Sequence, residues 1–118
     1  MYQKKLPPAA ACGILLTKEV LGGKWKAALL YQISRGIQRP GALQRHIPDA
    51  TRRVLNVQLN ELGRHGLVRK TIYPQLPPKV EYDLTDFGRT LLPVVEAMTR
   101  WGDENRARLE QLLVAEQA

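Results

Sequence analysis

Apolar residues recur at helical spacing along most of this chain and at period two over one region past its centre. Met1–Pro8, with two lysines and two prolines, reads as a flexible arm, and residues 9–118 read as a single domain. Ala9–Leu21 is expected to form a first helix with Ile14, Leu15, Val20 and Leu21 on its apolar side, broken by Gly22-Gly23. Lys24–Ser34 follows as a second helix, with Trp25, Ala28, Leu29 and Ile33 facing the core and Gly36 as a left-handed cap. Ile37-Gln38-Arg39 is too short to stand alone but can add a small strand to a later hairpin. Pro40–His46 reads as a short helix with Leu43 and Ile47 as apolar contacts, and Pro48-Asp49-Ala50 as a tight turn.

Thr51 is placed to cap the next helix, which ends at His65-Gly66. Leu67–Tyr73 and Lys79–Leu84 alternate like strands around the proline-rich loop Pro74–Pro78. Thr85 then caps a long helix from Asp86, with Leu91, Leu92, Val95, Met98 and Trp101 as a broad stripe and Pro93 expected to kink it. Gly102 is expected to separate a last helix, Asp103–Ala115, with Leu109, Leu112 and Leu113 on one side. A short helix, a tight turn and a second helix with a polar outer face make a helix-turn-helix pattern, and the hairpin after it stands where a wing would. The expected fold is mostly α with a small β-hairpin wing.

The helix that begins after Thr51 carries the candidate chemistry. Leu55, Leu59 and Leu62 make its apolar stripe, and Arg53, Asn56, Val57, Asn60 and Arg64 fall opposite. That outer face holds two guanidiniums, two carboxamides and one small apolar group, with no carboxylate. Arg takes guanine bidentately, Asn takes adenine, and a small apolar group meets the thymine methyl. Thr51, Asn56 and Val57 are therefore the candidate base readers, and Arg52, Arg53 and Arg64 the candidate base or phosphate contacts. Asn60 lies further along and suits the backbone, while Arg69, Lys70 and Lys79 are the charges a wing would bring. On this helix alone, a merely solvated basic face explains the pattern equally well.

The charge distribution shifts that balance. The 118 residues carry a formal charge of +7. From Arg35 to Lys70, eight Lys/Arg stand against Asp49 and Glu61; from Glu81 onward, eight acids stand against four arginines. A basic centre around one candidate helix points to a polyanion, most simply double-stranded DNA. A membrane surface fits poorly, because the basic face lacks the bulky apolar residues of an interfacial helix. No apolar run spans a bilayer and no secretory leader is visible, so a cytoplasmic protein is expected. A single cysteine, Cys12, cannot close an internal disulfide, and His46 and His65 are too few and too far apart for a metal. With no nucleophile–base pair and no phosphate-cradling glycine loop, neither an enzyme nor a cofactor is expected. The C-terminal stripes exceed what a small domain can hide, which implies a partner surface for Leu92, Val95, Met98, Trp101, Leu109 and Leu112, most simply on a second copy.

Taken together, Cys12, Gly22-Gly23-Lys24-Trp25, the Leu55/Leu59/Leu62 helix, Gly66-Leu67-Val68, Pro77-Pro78, Val80-Glu81-Tyr82, Leu84-Thr85, Gly88 and Trp101-Gly102 form a specific set. In these features the chain resembles the HxlR family of MarR-related bacterial transcription regulators. The resemblance implies a winged helix-turn-helix regulator, a repressor or an activator. It also implies a homodimer built by the first and C-terminal helices, which adds Ile14 and Leu15 to the interface. Two recognition helices would then enter major grooves roughly 34–36 Å apart on a pseudo-palindromic operator. Where the family reads like Ser-Pro-Lys and Thr-x-Arg-Leu, this chain has Thr51-Arg52-Arg53 and Asn56-Val57-Gln58-Leu59. Those departures are expected on the outward face, changing the bases read and leaving the fold alone. Pro40 stands where the family has an aromatic residue.

Cys12 matches a position that several relatives use to sense electrophiles or oxidants. Such a thiol must be exposed and readily ionised, and a helix beginning just after it would favour the anion. The competing reading is an inert small residue at the interface. Small-molecule or electrophile control is thus one expectation, and a winged-helix module serving protein–protein contact without specific DNA binding is the alternative function.

Overall fold

A computed structural model describes residues 12–117. The expected N-terminal arm, and the part of the first helix before Cys12, lie outside the described residues. The elements run α1 (Gly13–Leu21), α2 (Lys26–Ser34), α3 (Pro40–His46), α4 (Arg52–Arg64), β1 (Val68–Tyr73), β2 (Lys79–Leu84), α5 (Asp86–Arg89), α6 (Leu92–Glu104) and α7 (Arg106–Gln117). The two strands form one antiparallel hairpin, from Val68 opposite Leu84 to Tyr73 opposite Lys79. This is the mostly helical, hairpin-winged architecture the pattern predicts.

Leucine stripes from successive helices meet in one core. Leu29, Leu30 and Ile33 of α2, Leu43 of α3 and Leu55, Leu59 and Leu62 of α4 close over Leu67, Val68, Tyr82 and Leu84 at the base of the hairpin. Burying a leucine of this kind is worth about 2 kcal/mol of transfer free energy, so the α2–α4 unit supplies most of the cohesion. Gly36 takes a φ of 91°, the left-handed conformation that ends α2. Gly88 answers a different demand: a Cβ there would sit 2.0 Å from the Leu67 carbonyl oxygen. The turn into α5 can press against the hairpin base only because residue 88 has no side chain.

Several expectations are corrected. Cys12 is extended (φ −76°, ψ 162°), so α1 starts at Gly13 and does not pass through Cys12. Lys24 and Trp25 belong to the turn before α2, because the Trp25 N–H is taken by Gln58 Oε1 at 2.8 Å. Ile37-Gln38-Arg39 forms no third strand; it reaches β2 through one backbone bond, Tyr82 N–H to Gln38 O at 2.9 Å, and through the Gln38 amide donating to Asp83. The long C-terminal helix is divided, not kinked. Pro93 has no N–H and its ring would strike the carbonyl of residue 89, so α5 stops at Arg89 and Pro93 enters the first turn of α6, where it is tolerated. Gly102 does not break α6; the break comes at Asn105, whose side-chain amide donates to Trp101 O at 2.9 Å in competition with the helical ladder.

Candidate nucleic-acid interface

The inner side of α4 is fastened at three levels. Thr51 caps it, its hydroxyl accepting the Val54 N–H at 3.1 Å. Leu55, Leu59 and Leu62 are fully buried. Between these, Gln58 and Glu61 reach back to the start of α2. Gln58 Oε1 accepts the Trp25 N–H, and Glu61 Oε2 lies 2.7 Å from Lys26 Nζ. Lys26 is 3% exposed, the one buried charged side chain among the described residues. The Lys26 ammonium, donating to the carboxylate, holds the Glu61 pKa below the ordinary glutamate value, against the opposing effect of partial burial. Gly23 makes room for this joint, since a Cβ there would lie 2.7 Å from Gln58 Oε1.

Glu61 stands at the flank of the outer face, beside Val57, and its charge is balanced there by Lys26. Arg53, Asn56, Val57, Asn60 and Arg64 are all exposed, with Val57 half open at 50%. Thr51 is exposed too, and its hydroxyl hydrogen stays available after the cap is made. Arg53 and Arg64 stand about 16 Å apart along the axis at 1.5 Å per residue, more than the roughly 12 Å width of a major groove. The expectation that Gln58 shares the outward face is corrected: it is half-buried and holds the α1–α2 turn.

The wing brings unequal charges. Arg69 and Lys70 are exposed on β1, with Arg69 opposite Asp83 in the ladder. Lys79 is partly committed, with its Nζ 3.7 Å from Glu81 and 4.9 Å from the centre of the Tyr73 ring. The same Glu81 carboxylate, accepting from the Tyr73 hydroxyl, raises the tyrosine pKa above its ordinary value. Arg52 does not point along the outer face with Arg53. It lines a cleft between α3 and the wing loop together with Arg39 and Arg45, two arginines that belonged to the basic centre but had no role of their own in the sequence.

The expected partner surface separates into covered and uncovered parts. Val95 is buried in the chain's own core where α6 packs on α2, so it has no side-chain surface to offer a second copy; its inclusion in the interface is corrected. Leu92 and Leu109 are half-buried. Ile14 (73% exposed), Trp101 (61%), Met98, Leu15 and Leu112 remain open. Neither α1 nor α7 has a buried residue. Among the described residues, no helix is long and apolar enough to cross a membrane.

A leucine-packed helix-turn-helix with a following hairpin and an outward cationic, amide-bearing second helix defines a winged helix-turn-helix regulator. Residues 20–110 match the family described as HxlR-like helix-turn-helix, and the chain belongs to that family. It is 46% identical over 112 residues to the HTH-type transcriptional regulator YybR of Bacillus subtilis (strain 168), covering 93% of this chain and 90% of that one. Among solved structures it is similar to the redox regulator HypR in its reduced form, with 46% identity, a TM-score of 0.78, and coverage of 85% of this chain and 99% of that one. The oxidised form of HypR aligns with 47% identity and a TM-score of 0.76 over 80% of this chain and 97% of that one. The protein is therefore a transcriptional regulator of the helix-turn-helix type and not an enzyme.

Proposed function

We propose that the protein acts as a homodimer that binds a pseudo-palindromic operator in duplex DNA and is switched through Cys12. The observation that carries the DNA reading is the division of α4. Every residue expected to read bases, Thr51, Asn56 and Val57, is exposed, while the only carboxylate of the helix, Glu61 at the flank of that face, is paired with Lys26. Arg53 and Arg64 flank the readers, Asn60 extends toward the backbone, Arg69 and Lys79 come from the wing, and Arg52 from the neighbouring cleft. A mobility-shift titration over the intergenic DNA upstream of its own gene tests this. Specific binding is expected, weakening steeply with salt and lost on Arg53→Ala. Binding indifferent to salt, or capture of a protein partner with no retention of DNA, would refute it.

The switch rests on Cys12, which is exposed at the N-cap of α1. Its likeness to a regulator solved in reduced and oxidised forms supports the reading. With one cysteine per chain, oxidation by a peroxide would join Cys12 thiols of two subunits, releasing two protons and two electrons to the oxidant. A quinone would instead be attacked at a ring carbon by the thiolate, forming a C–S bond while the ring takes up a proton to become the hydroquinone thioether, one subunit at a time. Either change, at the start of a helix in the subunit seam, would alter the spacing of the two recognition helices. Genome-wide capture of bound DNA with and without peroxide or quinone, comparing wild type with Cys12→Ser, decides the matter: occupancy that never changes removes the switch.

A further inference from the structure

The cleft between α3 and the wing loop gathers cations. Its volume is about 380 Å³, and Arg39, Arg45, Arg52 and Lys79 line it with no carboxylate among the lining residues. Arg45 Nη1 and Arg52 Nη1 each lie 3.8 Å from the point a Cβ of Gly41 would occupy, so two guanidiniums from different helices converge over a glycine. Lys79 shares its charge with Glu81, but among the described residues no acid pairs with Arg39, Arg45 or Arg52. Like charges converging without a counterion repel, and the arrangement is stabilised when an anion with several acceptor oxygens enters between the forks.

The position of the cleft selects the anion. Arg52 is the first residue of α4, the end of a recognition helix that approaches the bases, and Arg45 lies on α3, the helix that crosses the strand backbone in this docking mode. We infer that this cleft seats a single phosphodiester of the DNA backbone, held by Arg45 and Arg52 with Arg39 supporting, so that helix-turn-helix and wing close on the same phosphate. The inference rests on the DNA reading above and adds to it an anchor that sets register without carrying sequence information.

The test uses the full-length chain and two fluorescent duplexes, one carrying the upstream site and one of scrambled sequence, each titrated over a salt series. Arg45→Ala should weaken both duplexes alike and lower the slope of log affinity against log salt by about one. Gly41→Asp places a carboxylate beside both guanidiniums, in a first helical turn that favours acids, and should reproduce the loss while leaving the thermal melt intact. Adding Arg39→Ala to Arg45→Ala should not lower the slope by a further unit, because the two serve one phosphate. Wild-type binding that neither variant changes overturns the inference, as does a loss confined to the upstream duplex. So does a loss of orthophosphate binding in a competition titration with DNA affinity preserved, which would mark a free-anion site. A wild-type chain that retains neither duplex refutes the DNA reading itself and takes this inference with it.

Discussion

Lys26 and Glu61 show how one ion pair joins two elements. Lys26 has almost no access to water, so its ammonium depends on the carboxylate 2.7 Å away. Removing that carboxylate leaves a buried charge without its partner. Because Glu61 itself is about a third exposed and water reaches its end of the pair, Glu61→Gln should destabilise the fold by about 2 kcal/mol, below the range for fully buried pairs, as read by urea denaturation at pH 7. The pair also sets a pH dependence. A carboxyl whose pKa is lowered by folding contributes stability in full above its unfolded value, and that contribution is lost as pH falls through the lower, folded one. The melting temperature of the wild type should therefore decline from the ordinary glutamate range downward, and Glu61→Gln should flatten that part of the curve. Equal acid slopes in the two proteins would contradict this. Gly88 offers a test of steric necessity at the same scale. Gly88→Ala drives a methyl into the Leu67 carbonyl, and the base of the hairpin must shift to admit it, with an expected loss of about 2–3 kcal/mol.

At the scale of the element, α4 shows the clearest division of labour, because its inner residues fix where the outer ones point. Asn56→Ala changes the outer face only. It should leave the melt unchanged and reduce discrimination at one base pair by about 1–3 kcal/mol, seen as equal affinity for operator variants at that position. Gln58→Ala, one turn's edge away, should instead leave the Trp25 N–H without its acceptor and weaken binding to every sequence, since the helix is no longer held at its proper depth. The elements themselves were legible in the sequence because α1, α2 and α4 carry stripes at helical spacing and are followed by Gly22, Gly36 and Gly66, while Pro40 and Pro48 bracket α3. What was not legible depends on contacts between distant residues. Gln58 lies at the border of the α4 stripe, and nothing local distinguishes an outward carboxamide from one that meets a backbone N–H 33 residues earlier. Arg39 and Arg45 looked like background charge, because their convergence with Arg52 exists only once α3 packs on α4 beside the wing loop. Pro93 was visible, but whether it bends a helix or starts a new one turns on whether residues 90–91 can leave the helical ladder, which is a matter of packing under α5.

At the scale of the whole molecule, the single copy is more open than a compact domain. Its radius of gyration is 16.0 Å, against about 13 Å for a compact domain of this length. Among the described residues α1 and α7 bury none, and beyond Val95 the apolar stripe of α6 runs on through Met98 and Trp101, which stay more than half exposed. Pro93, Val94, Ala97, Met98 and Trp101 together line a shallow apolar depression of about 690 Å³. Each large apolar side chain covered there contributes about 1.5–3 kcal/mol, enough in combination to offset the cost of association. Because these side chains are exposed in the single copy, charging them should spare the protomer fold. Met98→Glu combined with Trp101→Glu is accordingly expected to keep the helical circular dichroism and the melt of the core while the mass in solution falls from that of a pair to the 13.3 kDa of one chain. DNA binding then supplies the second reading of the same experiment. In the proposed dimer, two recognition helices on one rigid body engage the second half-site as an intramolecular event, so the monomeric variant should lose roughly 10²–10⁴-fold in affinity for a two-half-site operator and much less for a single half-site. A variant that becomes monomeric yet binds both DNAs as tightly as the wild type would show that the grooves are entered one chain at a time, and that the greasy helices serve some other contact.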